Sequence, residues 1–164
     1  MASFFQQLFA GEVNLSIASL PLTLLLAAIP HWYTIGLAEK NKVQGGWTNE
    51  NPRAFVARLN ARAASGTKLT ALEEKILRGQ SAQQNGFEWW ALWAVATVFG
   101  YLAKVPVADM NRYTIIHVGT RIVYYYLYLN TSTRASSLLR TAAFQVSWYP
   151  AVAVIFTASK VLKY

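Results

Sequence analysis

Four polar side chains stand where an apolar run begins. Arg78, Ser81, Asn85 and Glu88 recur at i, i+3, i+7 and i+10, so a helix through them carries all four on one face. The fifteen residues after Glu88, opening with Trp89-Trp90-Ala91-Leu92-Trp93, hold no charge, which puts the Glu88 carboxylate at or inside a membrane boundary. An ionisable group there is costly and by default marks a functional site that faces protein or water rather than lipid. A second face repeats the pattern: His117, Arg121, Tyr124 and Tyr128 lie at i, i+4, i+7 and i+11. An arginine inside an apolar helix needs a carboxylate, carbonyls or water. Glu88 is the only acidic residue in any predicted span, so a Glu88–Arg121 pair is expected. Such a pair can also do no more than fix helix register in a bundle.

Tyr128 falls at the end of its span, level with the polar start of the preceding one, and Arg140-Thr141 opens the next span at that same level. Together they outline a basic, hydroxyl-bearing pocket open sideways to lipid. Its chemistry suits a polar anionic cofactor meeting a lipophilic substrate. Taken singly the residues read more blandly: Tyr124, Tyr125, Tyr126 and Tyr128 as an interfacial aromatic belt, Arg140 as a snorkelling flank.

Composition narrows the setting. The 164 residues are 54% apolar and 14% aromatic but only 13% charged, against about 25% charged in a soluble domain. That deficit, with the long apolar runs, indicates an integral membrane protein. The net charge of +8 then reflects topology rather than a nucleic-acid partner. Without cysteine there is no disulfide, thiolate metal ligand or cysteine nucleophile, and only two histidines argue against a histidine-rich metal site. No Walker loop, dinucleotide fingerprint or serine-hydrolase elbow is present.

The elements that must position these residues follow from the pattern. Spans are expected at about 15–38, 78–103, 113–129 and 139–162, the first long enough to cross about 30 Å of hydrocarbon. The fully apolar part of the second begins near residue 86. Pro21 and Pro30 lie inside the first span, which membrane helices tolerate. Residues 1–14 lack the basic start of a signal peptide. In the loop 39–77, Asn51-Pro52 has the form of a cap and first helical residue, with Ser65-Gly66-Thr67 ending a short helix near Ala64. Thr70-Ala71-Leu72-Glu73 has capping-box spacing and opens the second long helix well before the bilayer. Asn130 through Ser137 reads as a polar loop. Asn14 and Asn130 match a glycosylation pattern, but one hugs the membrane and the other is expected to be cytoplasmic. Four spans place ten Lys and Arg on the side of the first and third loops against four (Lys104, Arg112, Lys160, Lys163) on the other. The positive-inside rule makes the loop 39–77 cytoplasmic and the termini outside or luminal. The fold class is thus all-α, an up-down-up-down four-helix membrane bundle in a single domain.

The assembled pattern resembles the MAPEG family (membrane-associated proteins in eicosanoid and glutathione metabolism). The shared features are Asn51-Pro52-Arg53, then Arg78 with Ala82, Gln83, Asn85 and Glu88 at their spacing, then Arg121, Tyr124 and Tyr128, then Leu139-Arg140-Thr141. The Ala-Gln-x-Asn-x-x-Glu form is closest to bacterial and fungal members. The resemblance implies a homotrimer with glutathione bound between subunits, and a transferase or peroxidase acting on lipophilic electrophiles or lipid peroxides. By the same resemblance Arg78, Asn85, Glu88, Arg121, Tyr124 and Tyr128 surround glutathione, while Arg140 and Thr141 serve its thiolate. Arg134 is an alternative to Arg140, because the loop before it is longer than usual. Gln80 and Ser81 stand where active members often carry basic residues, and Gln83 where many carry histidine. The host is the endoplasmic reticulum membrane in a eukaryote or the inner membrane in a bacterium. A non-catalytic membrane scaffold or lipid-binding protein is the alternative function.

Overall fold

The computed structural model describes residues 3, 6, 7 and 10–162. Among them five α-helices have defined bounds and there is no strand: α1 (Leu15–Lys40), α2 (Pro52–Ala64), α3 (Ala71–Leu102), α4 (Val107–Asn130) and α5 (Arg134–Val161), with a 3-10 turn at Val43–Gly45. Lys163, one of the charges counted above, lies outside the described residues.

The helix starts are chemical. Asn14 accepts from the Ser16 amide at 3.0 Å, and Asn51 accepts from Ala54 at 3.2 Å with Pro52 in the first turn. Thr70 and Glu73 form the expected capping box. Gly66, at φ +79°, follows the end of α2 in the left-handed region that glycine adopts without strain. One boundary differs from expectation. The polar loop expected through Ser137 ends at Thr133, because Thr133 and Ser136 form a capping box that starts α5 at Arg134. Runs of Ser and Thr read as coil, but at this spacing their hydroxyls satisfy the first free amides of a helix.

α3 is the shared element: α1 lies along it, α4 and α5 touch it, and α5 lies along α4. α1 and α3 meet through small residues. Ala27 faces Gly86, and Thr34 faces Gly79 so closely that a Cβ there would lie 2.3 Å from Thr34 Cγ2. Small residues let backbones approach where no hydrophobic drive operates between helices in lipid. Further along, Trp93 Nε1 donates to Ser19 Oγ at 2.8 Å.

Large apolar side chains also cover the outside, among them Ile17, Leu25, Tyr101, Leu138 and Phe156. By length and composition α1 and α5 are apolar enough to cross a membrane. α3 and α4 fall short of that measure because α3 starts polar and is rich in tryptophan, and α4 carries Asp109, Arg112 and Arg121.

Glu73 ties the 39–70 segment to the helices. It is 3% exposed and accepts from the Thr70 amide at 2.9 Å, from Gln44 Nε2 at 2.9 Å and from Arg62 Nη1 at 3.2 Å. The Thr70 amide, with Gln44 and Arg62 assisting against burial, holds its carboxyl below the usual range. A lowered folded pKa means the stabilisation is complete above the ordinary carboxylate range and is lost as pH falls through the folded value. Acidification below about pH 4, or Glu73→Gln at neutral pH, is therefore expected to speed amide hydrogen exchange in residues 41–66 before α1 and α3 open. Unchanged exchange there would show that the apolar contacts of Phe55 and Leu59 hold the segment alone.

Candidate functional site

Arg121 is the centre of the buried polar structure. It is 2% exposed on α4 and spends its donors on α3 and on its own helix. Nη1 and Nη2 reach Asn85 Oδ1 at 3.4 and 3.3 Å, and Nη2 also reaches the Asn85 carbonyl and the Tyr125 hydroxyl, each at 3.3 Å. The guanidinium carbon stands 4.7 Å from the Tyr124 ring centre and 5.1 Å from that of Tyr125, so two aromatic faces share its charge.

The expected Glu88–Arg121 pair is not formed within the chain. Glu88 is exposed, and its partner is Gln84 Nε2 at 3.3 Å. Three residues advance a helix by about 300°, so when Asn85 faces α4, Glu88 points about 60° away from it. Tyr125, read from the sequence as part of an aromatic belt, is instead a partner of Arg121; its i+4 spacing was the available signal. His117 is no ligand here. It is 2% exposed, stacks on Trp93 at 4.4 Å, and its Nδ1 donates to the Ser147 carbonyl at 3.0 Å.

From Arg121 the chain of contacts runs to the surface. Tyr124 is buried and packs on Tyr128 at 5.3 Å, and the Arg140 guanidinium lies 4.2 Å over the Tyr128 ring. Tyr124, Tyr128, Arg140, Thr141 and Phe144 line an open cavity of about 160 Å³. The Thr141 hydroxyl bonds the Ser137 carbonyl at 3.3 Å and is exposed at the cavity mouth. A second cavity, about 430 Å³, shares Tyr128 and Arg140 and adds Arg78, Ser81, Arg134 and Ser137. The structure thus joins Asn85, Arg121, Tyr124, Tyr128, Arg140, Thr141 and Arg78 into one region and leaves Glu88 apart on the outer face of α3. Of the two arginines offered for the thiolate role, Arg140 lines both cavities and Arg134 only the larger. Gln80 and Gln83 face the other way, into a cavity of about 530 Å³ with His31 and Arg53.

A helical protein with apolar outer faces, a guanidinium held inside by asparagine and tyrosines, and a basic cavity at one end has the character of a membrane protein. The family model described as "MAPEG family" matches residues 17–159, and the chain belongs to that family. Neither the search of curated proteins nor the search of solved structures returned a match.

Proposed function

We propose that this protein is a membrane-bound, glutathione-dependent transferase or peroxidase acting on lipophilic electrophiles or lipid peroxides. The observation that carries the reading is the cavity where Tyr128, Arg140 and Thr141 meet. There Tyr124 and Tyr128 of α4 and Arg140 of α5, residues the family resemblance singles out, come together beside the link from buried Arg121 to Asn85. The donor set fits the peptide: no acidic side chain lines the cavity, and the Arg140 guanidinium makes no ion pair among the described residues.

Glutathione, when bound, supplies the thiol that attacks the electrophile or reduces the peroxide. Arg140 holds negative charge at the sulfur and so lowers the thiol pKa. Tyr128 offers a hydroxyl donor beside it, Thr141 does the same when its hydroxyl turns from the Ser137 carbonyl, and Arg121 with Asn85 fixes the wall formed by Tyr124. In this reading α1, α3, α4 and α5 all cross the membrane, the loop 39–77 is cytoplasmic, and the chain is one domain. Glu88 is in keeping with a homotrimer: an exposed carboxylate beside an apolar run calls for a cation, and among the described residues it has only the Gln84 amide. A neighbouring subunit's contact with this face of α3 would complete the glutathione site.

Adding glutathione to the purified protein is expected to produce ultraviolet thiolate absorbance that Arg140→Ala abolishes. Arg134→Ala is expected to keep it. A wild-type protein that neither binds glutathione nor conjugates an aryl halide overturns the reading.

A further inference from the structure

A cavity of about 570 Å³ lies at the end of the bundle away from Arg140, between the start of α1, the end of α3 and the start of α4. Ile17, Leu102, Val107 and Met110 give it apolar walls. Its uncommitted polar side chains can all donate. Asn14 spends its side-chain oxygen on the Ser16 amide and hydroxyl at 3.0 and 2.7 Å, which leaves its amide nitrogen free to donate. The Tyr101 hydroxyl and the Lys104 ammonium make no hydrogen bond or ion pair among the described residues. No acidic side chain lines the space.

Lys104 is held there against local preference. α3 ends in a Schellman motif, with the Val105 amide on the Gly100 carbonyl at 2.9 Å and the Lys104 amide on the Tyr101 carbonyl at 3.0 Å. The turning residue is Lys104 itself, at φ +54°, in the left-handed region that glycine adopts without strain and lysine does not. Attraction to the last carbonyls of α3 offsets part of that strain. A lysine serving only those carbonyls would ignore which lipid surrounds it.

We infer that this cavity binds one phospholipid of net negative charge, with its phosphate on Lys104, Tyr101 and Asn14 and its chains on the apolar wall. Donors without a carboxylate among them suit phosphodiester oxygens. A choline headgroup would bring a cation beside Lys104 with no anion to receive it. A soluble phosphate would leave the apolar wall uncovered. The volume lies within the range of about 300–1,000 Å³ usual for ligand cavities. The inference is independent of glutathione, because this cavity shares no residue with those around Arg140.

The test uses the full chain in phosphatidylcholine nanodiscs and reads amide hydrogen exchange in residues 101–110. Replacing part of the phosphatidylcholine with phosphatidylglycerol is expected to slow exchange there. Lys104→Gly gives the turn its preferred residue and so keeps the fold. It is expected to raise the half-effect lipid fraction about tenfold, the loss of one charge-assisted contact. Lys104→Arg is expected to keep the response. Lys160→Gln removes a charge at the same end of the bundle but outside the cavity, and is expected to respond as wild type. No slowing in wild type overturns the proposal. So does a wild-type response in Lys104→Gly, which would leave Lys104 a partner of the α3 carbonyls alone. Equal loss in Lys160→Gln also overturns it, because the response then follows surface charge. If diacylglycerol or inorganic phosphate alone slows exchange as much, the cavity takes chains or anions separately and the proposal fails.

Discussion

Arg121→Leu is expected to lower the unfolding free energy by about 2–4 kcal/mol, measured by reversible unfolding in mixed micelles. Two effects oppose each other. Arg121 is 2% exposed and has no carboxylate partner among the described residues, so its removal relieves the cost of keeping a cation out of water. Against that, leucine leaves the Asn85 amide oxygen and the Tyr125 hydroxyl without the guanidinium donor, while the Asn85 carbonyl keeps only its bond within the helix. Each orphaned buried group costs about 1–3 kcal/mol. The guanidinium also fills the space between the Tyr124 and Tyr125 rings, and leucine gives up both cation–π contacts. Several lost partners outweigh one relieved charge. The double variant Arg121→Leu with Asn85→Leu should therefore lose less than the two single losses added, with a coupling of about 1 kcal/mol or more. A single variant as stable as wild type would show that this arginine is held at a net loss, and that its place belongs to ligand binding.

The same residue shows what a sequence can and cannot tell about a site. That Arg121 must be satisfied inside the protein follows from its apolar surroundings alone. Which partner satisfies it depends on the rotation of α3, and Asn85 and Glu88 are close enough in sequence that either could face α4. The rotation is set by Gly79, Ala82 and Gly86 packing against α1, a stripe hidden in what reads as a polar stretch. Local signals fared better. The caps at Asn51 and Thr70 were legible because the bonds they make lie within four residues. The start of α5 was missed although Thr133 and Ser136 follow the same rule, since serine at the third position is a weaker cue than glutamate. The cluster of Arg78, Arg134 and Arg140 joins residues as much as 62 positions apart, and only the crossing of α3 with α5 brings them together.

Gly79→Ala tests that crossing from the opposite side of α3. In an isolated helix the change stabilises by about 1 kcal/mol. Here the added Cβ would sit 2.3 Å from Thr34 Cγ2, 2.5 Å from Thr34 Oγ1 and 2.8 Å from the Pro30 carbonyl oxygen. Thr34 has no room to turn away. It is fully buried, its hydroxyl donates to the Pro30 and His31 carbonyls at 2.8 and 3.1 Å, and Gln80 Nε2 donates to it at 3.2 Å. The carbonyl belongs to the backbone and moves only if α1 moves. The helices must separate, and a net loss of about 2 kcal/mol in unfolding free energy is expected. Thr34→Ala in the same chain removes the two closest atoms but not the carbonyl, so it should restore part of that loss. Separation of α1 from α3 also shifts Arg78 and Asn85, which leave the same helix one position before and six after Gly79. Glutathione affinity should therefore fall with stability in Gly79→Ala and recover in part with Thr34→Ala. If stability falls while affinity holds, α3 keeps its place against α4 and α5 without α1.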